Sequence, residues 1–127
     1  MKIERRAQDG PLTVVAAGGE VDAYTGPELL EALTDSLEQN EGPTWLLVDL
    51  TEVQYLDSIG LGILVHAAKE AAASGGAMAV ACHTPVVLKV FDISGTRAML
   101  CVRESVPEAT ALLAAKREAA SDEKPDA

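Results

Sequence analysis

Val48-Asp49-Leu50-Thr51-Glu52-Val53-Gln54-Tyr55-Leu56-Asp57-Ser58-Ile59-Gly60-Leu61-Gly62 is the stretch on which the fold turns. Its front belongs to the run Trp45-Leu46-Leu47-Val48-Asp49-Leu50, nearly continuous in apolar residues, the pattern of a strand buried on both faces. The residues after Leu50 read as a short loop. Asp57-Ser58 then opens a helix carrying Ile59, Leu61, Ile63, Leu64, Val65, Ala67, Ala68, Ala71 and Ala72, closed by Gly75-Gly76. Gly60 and Gly62 both fall near the start of this helix, where each costs roughly 1 kcal/mol relative to Ala. The expected return is access: with no side chains there, another protein can lie over the Ser58 hydroxyl.

Strand and helix patterns alternate on either side. Upstream, residues 1–10 show weak alternation and suggest an edge strand, with a turn at Gly10-Pro11. Leu12-Thr13-Val14-Val15-Ala16-Ala17 reads as a strand ending at Gly18-Gly19. Thr25-Gly26-Pro27-Glu28 fits a capping box, with Thr25 as N-cap, for a helix bearing Leu29, Leu30, Leu33 and Leu37. Downstream, Ala77-Met78-Ala79-Val80-Ala81-Cys82 is the next strand. Thr84-Pro85 opens a helix that Gly95 stops, and Met99-Leu100-Cys101-Val102 is a short last strand. Ser105-Val106-Pro107-Glu108 is a second capping box, leading into a helix to about Lys116. The polar, apolar-poor remainder reads as a disordered acidic tail over 117–127. Such alternation implies an α/β sandwich: a mostly parallel sheet of four to five strands, an antiparallel hairpin at its N-terminal end, and about four helices.

Composition narrows the function classes. The chain has 127 residues, one domain's worth, and its 48% hydrophobic content with only 3% aromatics calls for an aliphatic core. No apolar run approaches the roughly 20 residues of a membrane span, and no export signal follows the charged first residues, so a soluble cytoplasmic protein with no membrane partner is expected. Net charge is −10. Between Arg6 and Lys69 there is no Lys or Arg, while eleven acids occur: Asp9, Glu20, Asp22, Glu28, Glu31, Asp35, Glu38, Glu41, Asp49, Glu52 and Asp57. Most serve solubility, but a one-signed field repels nucleic acid and attracts a basic protein. Cys82 and Cys101 sit in apolar segments as small hydrophobes, and with two histidines besides there is no zinc-ligand spacing. Neither a metal nor a cofactor is called for.

Two readings of Ser58 follow from the residues. One is an N-cap, since Ser before an apolar helix commonly starts it. The other is a phosphoacceptor, whose phosphate would gain from free N–H groups at the helix N-terminus and bring negative charge beside Asp57. A hydrolase nucleophile is disfavoured, because the elbow motif needs Gly two residues before the serine and position 56 is Leu. His66 lies two helical turns away, too far to act as its base. Asp49 as a phosphoacceptor would need an acid pair, for which Glu20 and Asp22 are available, and a lysine at a strand end, which is lacking. No phosphate-cradling loop is present, and Gly60-Leu61-Gly62 lacks the remaining glycine of a dinucleotide fingerprint. His66 and His83 read as surface or boundary residues, and Arg97 as support for a helix end.

Taken together, Gly19-Glu20-Val21-Asp22 before a Leu-rich helix and Leu56-Asp57-Ser58-Ile59-Gly60-Leu61-Gly62 resemble the two motifs of STAS-domain anti-sigma factor antagonists. Phe91-Asp92-Ile93-Ser94-Gly95 and the short terminal strand fit as well, and the resemblance spans roughly residues 10–115 of a domain placed at 1–116. It implies a non-enzymatic partner switch. The unphosphorylated protein binds an anti-sigma factor, a serine kinase of the histidine-kinase-like ATPase fold, and so frees a sigma factor. That kinase phosphorylates the loop serine with ATP, the complex separates, and a serine phosphatase resets it. Carried over by position, Ser58 is the phosphoacceptor, Asp57, Gly60 and Gly62 shape its loop, and Asp22 helps engage the kinase. Ile59 departs from the family, which commonly has Ser or Thr there. Burial under the loop and apolar contact with the partner are both open to it. The alternative is a STAS scaffold or adaptor, in a signalling or transporter complex, whose serine only caps the helix.

Overall fold

A computed structural model of the chain describes residues 2–7, 12–39 and 41–122. Nine elements follow in order: β1 (Lys2–Ala7), β2 (Leu12–Val21), α1 (Gly26–Glu38), β3 (Trp45–Leu56), α2 (Ser58–Ala73), β4 (Ala77–Ala81), α3 (Pro85–Ser94), β5 (Val102–Arg103) and α4 (Val106–Asp122). The strands lie side by side in chain order, with β1 antiparallel to β2 and the rest parallel. This is the mixed sheet with an N-terminal hairpin and four helices that the sequence predicts.

Because each crossover moves one strand onward in the same direction, α1, α2 and α3 all land on one face of the sheet. Leu29 and Leu33 of α1, Leu64, Ala67 and Ala71 of α2, and Val87 and Phe91 of α3 pack there on Val15, Leu46, Val48, Leu50 and Val80. Every strand residue between these points the other way, as the period of two requires. That second face, with Val14, Trp45, Leu47, Ala79 and Ala81, is covered by Ala109 and Leu113 of α4. Of the capping box expected for α4, the serine half is present, with Ser105 Oγ accepting the Glu108 N–H at 3.2 Å.

Strand lengths differ from expectation in an instructive way. β3 does not end at Leu50 but runs six residues further, and β2 passes through Gly18-Gly19 to Val21. The pairing explains why the sequence concealed this. Ala16 pairs with Asp49 but Gly18 with Glu52, and Gly19 pairs with Val53 but Glu20 with Tyr55. Thus β3 carries one extra residue at each of two irregularities. Each bulge flips the side-chain phase. Leu50, Val53 and Leu56 all enter the core although they are three apart, a spacing that breaks strand alternation. The glycines opposite are therefore not a strand end; Gly18 admits the Glu52 side chain closely, and Gly19 has φ +91°.

Other boundaries shift less. The last strand is only Val102–Arg103, entered through Cys101 at φ +51°, while α4 continues six residues beyond Lys116. Residues 117–122, expected in the tail, are thus helical. The Gly10-Pro11 turn and residues 123–127 lie outside the described residues. Cys82 is buried, and that burial pushes its thiol up, away from reactivity. Cys101 is half-buried and both are free thiols.

The phase flips can be checked by stability. Val53→Ala should cost about 2 kcal/mol from lost burial and the cavity left behind, whereas Gln54→Ala should change stability by less than about 0.5 kcal/mol. Urea denaturation of both variants measures this, and the opposite ranking would mean that β3 alternates without bulges.

Candidate functional site

The parallel strands β2 and β3 end side by side, with Val21 paired to Leu56. Both motifs therefore meet at one edge of the sheet. The Asp57 N–H donates to the Val21 carbonyl at 3.1 Å, tying the start of α2 to the end of β2. Above this link, α2 comes down so closely that Gly60 is buried. A Cβ at Gly60 would lie 2.6 Å from Leu56 Cδ1 and 2.8 Å from Val21 Cγ1. The expectation that Gly60 gives a partner access is therefore corrected: this glycine lets the helix sit on the strand ends. Gly62 is different. It is exposed, with nothing within 4 Å of where its Cβ would be, and it leaves open surface as expected.

The capping of α2 also departs from expectation. Asp57, in extended backbone geometry, is the N-cap, and its Oδ1 accepts the N–H groups of Ile59 and Gly60, each at 3.0 Å. Leu61 N–H bonds the Asp57 carbonyl at 2.9 Å. Ser58 is the first helical residue, not the cap. Its side chain is exposed, and no hydrogen bond to its hydroxyl occurs among the described residues. An aspartate is chemically suited to the position, since a carboxylate at a helix N-terminus meets free N–H donors and the positive end of the macrodipole. The N-cap reading of Ser58 is therefore corrected: the cap of α2 is Asp57.

Ile59 follows from the same geometry. It is 48% exposed, and its Cγ2 would stand 3.6 Å from a Cβ at Gly26, the first residue of α1. It is neither buried under a loop nor wholly free: it lies over Gly26, with half its surface presented outward.

Asp22 opens the segment between β2 and α1. Its Oδ1 accepts the N–H of Tyr24 at 2.9 Å and that of Thr25 at 3.0 Å. Thr25 Oγ1 donates to the Glu20 carbonyl at 2.7 Å and accepts the Asp22 N–H at 3.1 Å. The proposed capping box does not form, because the Thr25 hydroxyl is turned back to Glu20 and Asp22 and makes no cap bond to α1. The Thr25 N–H bond, helped by the Thr25 hydroxyl and the Tyr24 N–H against some desolvation, holds the Asp22 carboxyl below the usual carboxylate range. Tyr24, between them, is 93% exposed. No role is assigned to it from the sequence, and nothing in composition marks a single tyrosine.

The remaining candidates fall away from this edge. Asp49 pairs with Ala16, seven residues of strand before Leu56, roughly 20 Å from Asp22 at extended-chain spacing. Its Oδ1 accepts the Thr51 N–H at 2.9 Å and hydroxyl at 2.7 Å, bonds local to β3. His66 and His83 are exposed, and Arg97 pairs with Asp92 at 3.1 Å beside the C-terminus of α3, as expected of a supporting residue. Among the described residues no group of three potential ligands could hold a metal ion, and no helix is long and apolar enough to cross a membrane.

Fold and site together define a small α/β domain that presents one serine hydroxyl at the mouth of its second helix. The family model of the STAS domain matches residues 2–109. An anti-sigma-B factor antagonist of Listeria monocytogenes is 35% identical over 95 residues, covering 75% of this chain and 82% of that protein. One from Staphylococcus aureus is 33% identical over 104 residues, covering 82% and 94%. A crystal structure of an anti-sigma factor antagonist from Mycobacterium paratuberculosis superposes with a TM-score of 0.80 at 22% identity, over 89% of this chain and 93% of that one. The chain belongs to the STAS-domain family of anti-sigma factor antagonists.

Two expectations test the edge. Gly60→Ala should destabilise by about 1–2 kcal/mol, because overpacking against stiff Val21 outweighs the gain in helix propensity, while Gly62→Ala should stabilise by roughly 0.5–1 kcal/mol. Thermal melts that rank them the other way would refute the packing role of Gly60. For Asp22 the sign follows from its lowered pKa. The folded loop favours the carboxylate, so the loop's stabilisation is complete above the ordinary value of 3.8 and is lost as pH falls through the lower folded value. The Tyr24 and Thr25 amide resonances should shift with a midpoint below 3.8; a midpoint at or above it would contradict the bonding.

Proposed function

We propose that this chain acts as an anti-sigma factor antagonist by binding an anti-sigma factor serine kinase in the cytoplasm through the edge around Ser58, and that phosphorylation of Ser58 ends the binding. The observation that carries this reading is the division of labour at the mouth of α2. Asp57 alone starts the helix, so the exposed Ser58 hydroxyl can be modified without uncapping it.

The chemistry asks nothing catalytic of this chain. Ser58 Oγ forms a bond to the γ-phosphorus of ATP held by the kinase, the bond from that phosphorus to the β–γ bridging oxygen breaks, and ADP leaves. The hydroxyl proton passes to a base of the kinase or to solvent. A serine phosphatase then hydrolyses the phosphate ester and restores the binding form.

Release follows from where the charge comes to rest. A phosphoserine brings about −1.5 to −2 charge at neutral pH. The first-turn donors that could receive it are already bonded to Asp57, so the group has no ready cradle inside the molecule. It stands instead beside the Asp57 carboxylate, at an edge shared with Asp22, in a stretch without Lys or Arg from residue 7 to 68. A docked kinase would meet repulsion and the cost of desolvating the new charge. A hundredfold loss of affinity needs only about 2.7 kcal/mol.

With purified anti-sigma factor kinase and ATP, the chain should gain one phosphate on Ser58 by mass spectrometry. Ser58→Ala should bind the kinase without being released by ATP, and Ser58→Asp should bind at least about a hundredfold more weakly by calorimetry. A phosphate mapped to another residue, with Ser58→Ala still fully modified, would sink the mechanism.

A further inference from the structure

Tyr24 has the most exposed large apolar side chain among the described residues, yet its backbone N–H is bonded within a turn. Within the short segment from Glu20 to Gly26 the Tyr24 and Thr25 N–H groups bond Asp22 Oδ1, the Thr25 hydroxyl bonds the Glu20 carbonyl, and the Gly26 N–H bonds the Asp22 carbonyl at 2.7 Å. An exposed aromatic on its own needs no explanation. One held out from an ordered turn is different, because a tyrosine with a fixed backbone has only two side-chain torsions left to immobilise on binding. Its place is also telling. The turn follows Val21, which is bonded to Asp57, and precedes Gly26, against which the half-exposed Ile59 lies.

Both bonds that fix Tyr24 and Thr25 end on one oxygen of Asp22. An asparagine offers the same acceptor without the charge. We infer that Tyr24 is an anchor side chain for the kinase at the Ser58 edge, and that Asp22 is a positioning residue acting through Tyr24. This rests on the kinase-binding reading above. Glu20, Asp22, Glu28 and Asp57 lie in or beside the two segments, in a stretch without Lys or Arg from residue 7 to 68, so the complementary kinase surface is an apolar slot for the phenol ring with a basic rim. Arg or Lys on that rim would add attraction to the ring face.

The test uses the full chain and the anti-sigma factor kinase that transfers one phosphate to Ser58, with ADP replacing ATP in binding measurements so that no transfer occurs. Tyr24→Ala should weaken binding by roughly thirtyfold, the range of an interface hot spot, and should raise KM for phosphorylation while leaving kcat unchanged. Asp22→Ala should weaken it by a similar factor, Asp22→Asn should stay within about threefold of the parent, and Asp22→Ala should add nothing to Tyr24→Ala in the double variant. Melting temperatures of all variants exclude unfolding as the cause. The inference is overturned if Tyr24→Ala binds like the parent, or if Asp22→Asn is as weak as Asp22→Ala, which would make the charge itself the contact. If the parent chain neither binds such a kinase nor is phosphorylated by one, the kinase-binding reading fails and this inference with it.

Discussion

The seating of α2 on the ends of β2 and β3 is the contact on which the rest depends. One hydrogen bond, Asp57 N–H to the Val21 carbonyl, joins two strand ends and a helix start. One missing side chain, at Gly60, lets the helix descend onto Val21 and Leu56, both fully or almost fully buried. From this point the hydrophobic faces of α1 and α2 are aligned over the same side of the sheet, with Leu29, Leu33 and Leu64 in one core. The same contact fixes where Asp57 stands, and Asp57 in turn fixes the first turn of α2. Core packing and site geometry are therefore not separable here.

Aspartate and serine do different work at the helix mouth, and the difference is a matter of donors and acceptors. Asp57 accepts two backbone N–H groups that would otherwise be unpaired. Ser58, one residue later, has entered the helix, its side chain is exposed, and no hydrogen bond to its hydroxyl occurs among the described residues. A serine cap would have made modification and helix integrity compete for one oxygen. Separating them lets a charge change at residue 58 leave the backbone bonds of the first turn in place.

Much of this was legible in the chain, and what was not has definite physical causes. Strand and helix order, the hairpin, the buried faces and the αL stop at Gly95 all follow from periodicity and turn chemistry. The second half of β3 was hidden because two bulges place Leu50, Val53 and Leu56 at intervals of three, and a reader looking for alternation sees a loop. The Thr25 capping box does not form although its residue types match the motif, because the turn after β2 aims the hydroxyl back at Glu20 and Asp22. Ser58 stands exposed at the start of α2, where the sequence places it. That Asp57 rather than Ser58 caps the helix depends on backbone angles one residue apart, and pattern does not resolve those. Tyr24 left no pattern at all, since a single exposed aromatic has no period.

The paired bulges of β3 carry a rule of parity. Because each extra residue exchanges the two faces of the strand, one lost together with its bulge leaves Leu56 facing Gly60, whereas one added or lost with both bulges kept would turn Leu56 away and withdraw the floor beneath α2. Losing both extra residues together would restore strict alternation with all three core positions still inward. Length in this stretch can drift only where a bulge appears or disappears with the residue, whereas the connection after α1 at residues 41–43 is exposed and under no such restriction. Among descendants of this chain, a one-residue change in the spacing between Leu50 and Leu56 should come with the gain or loss of one bulge.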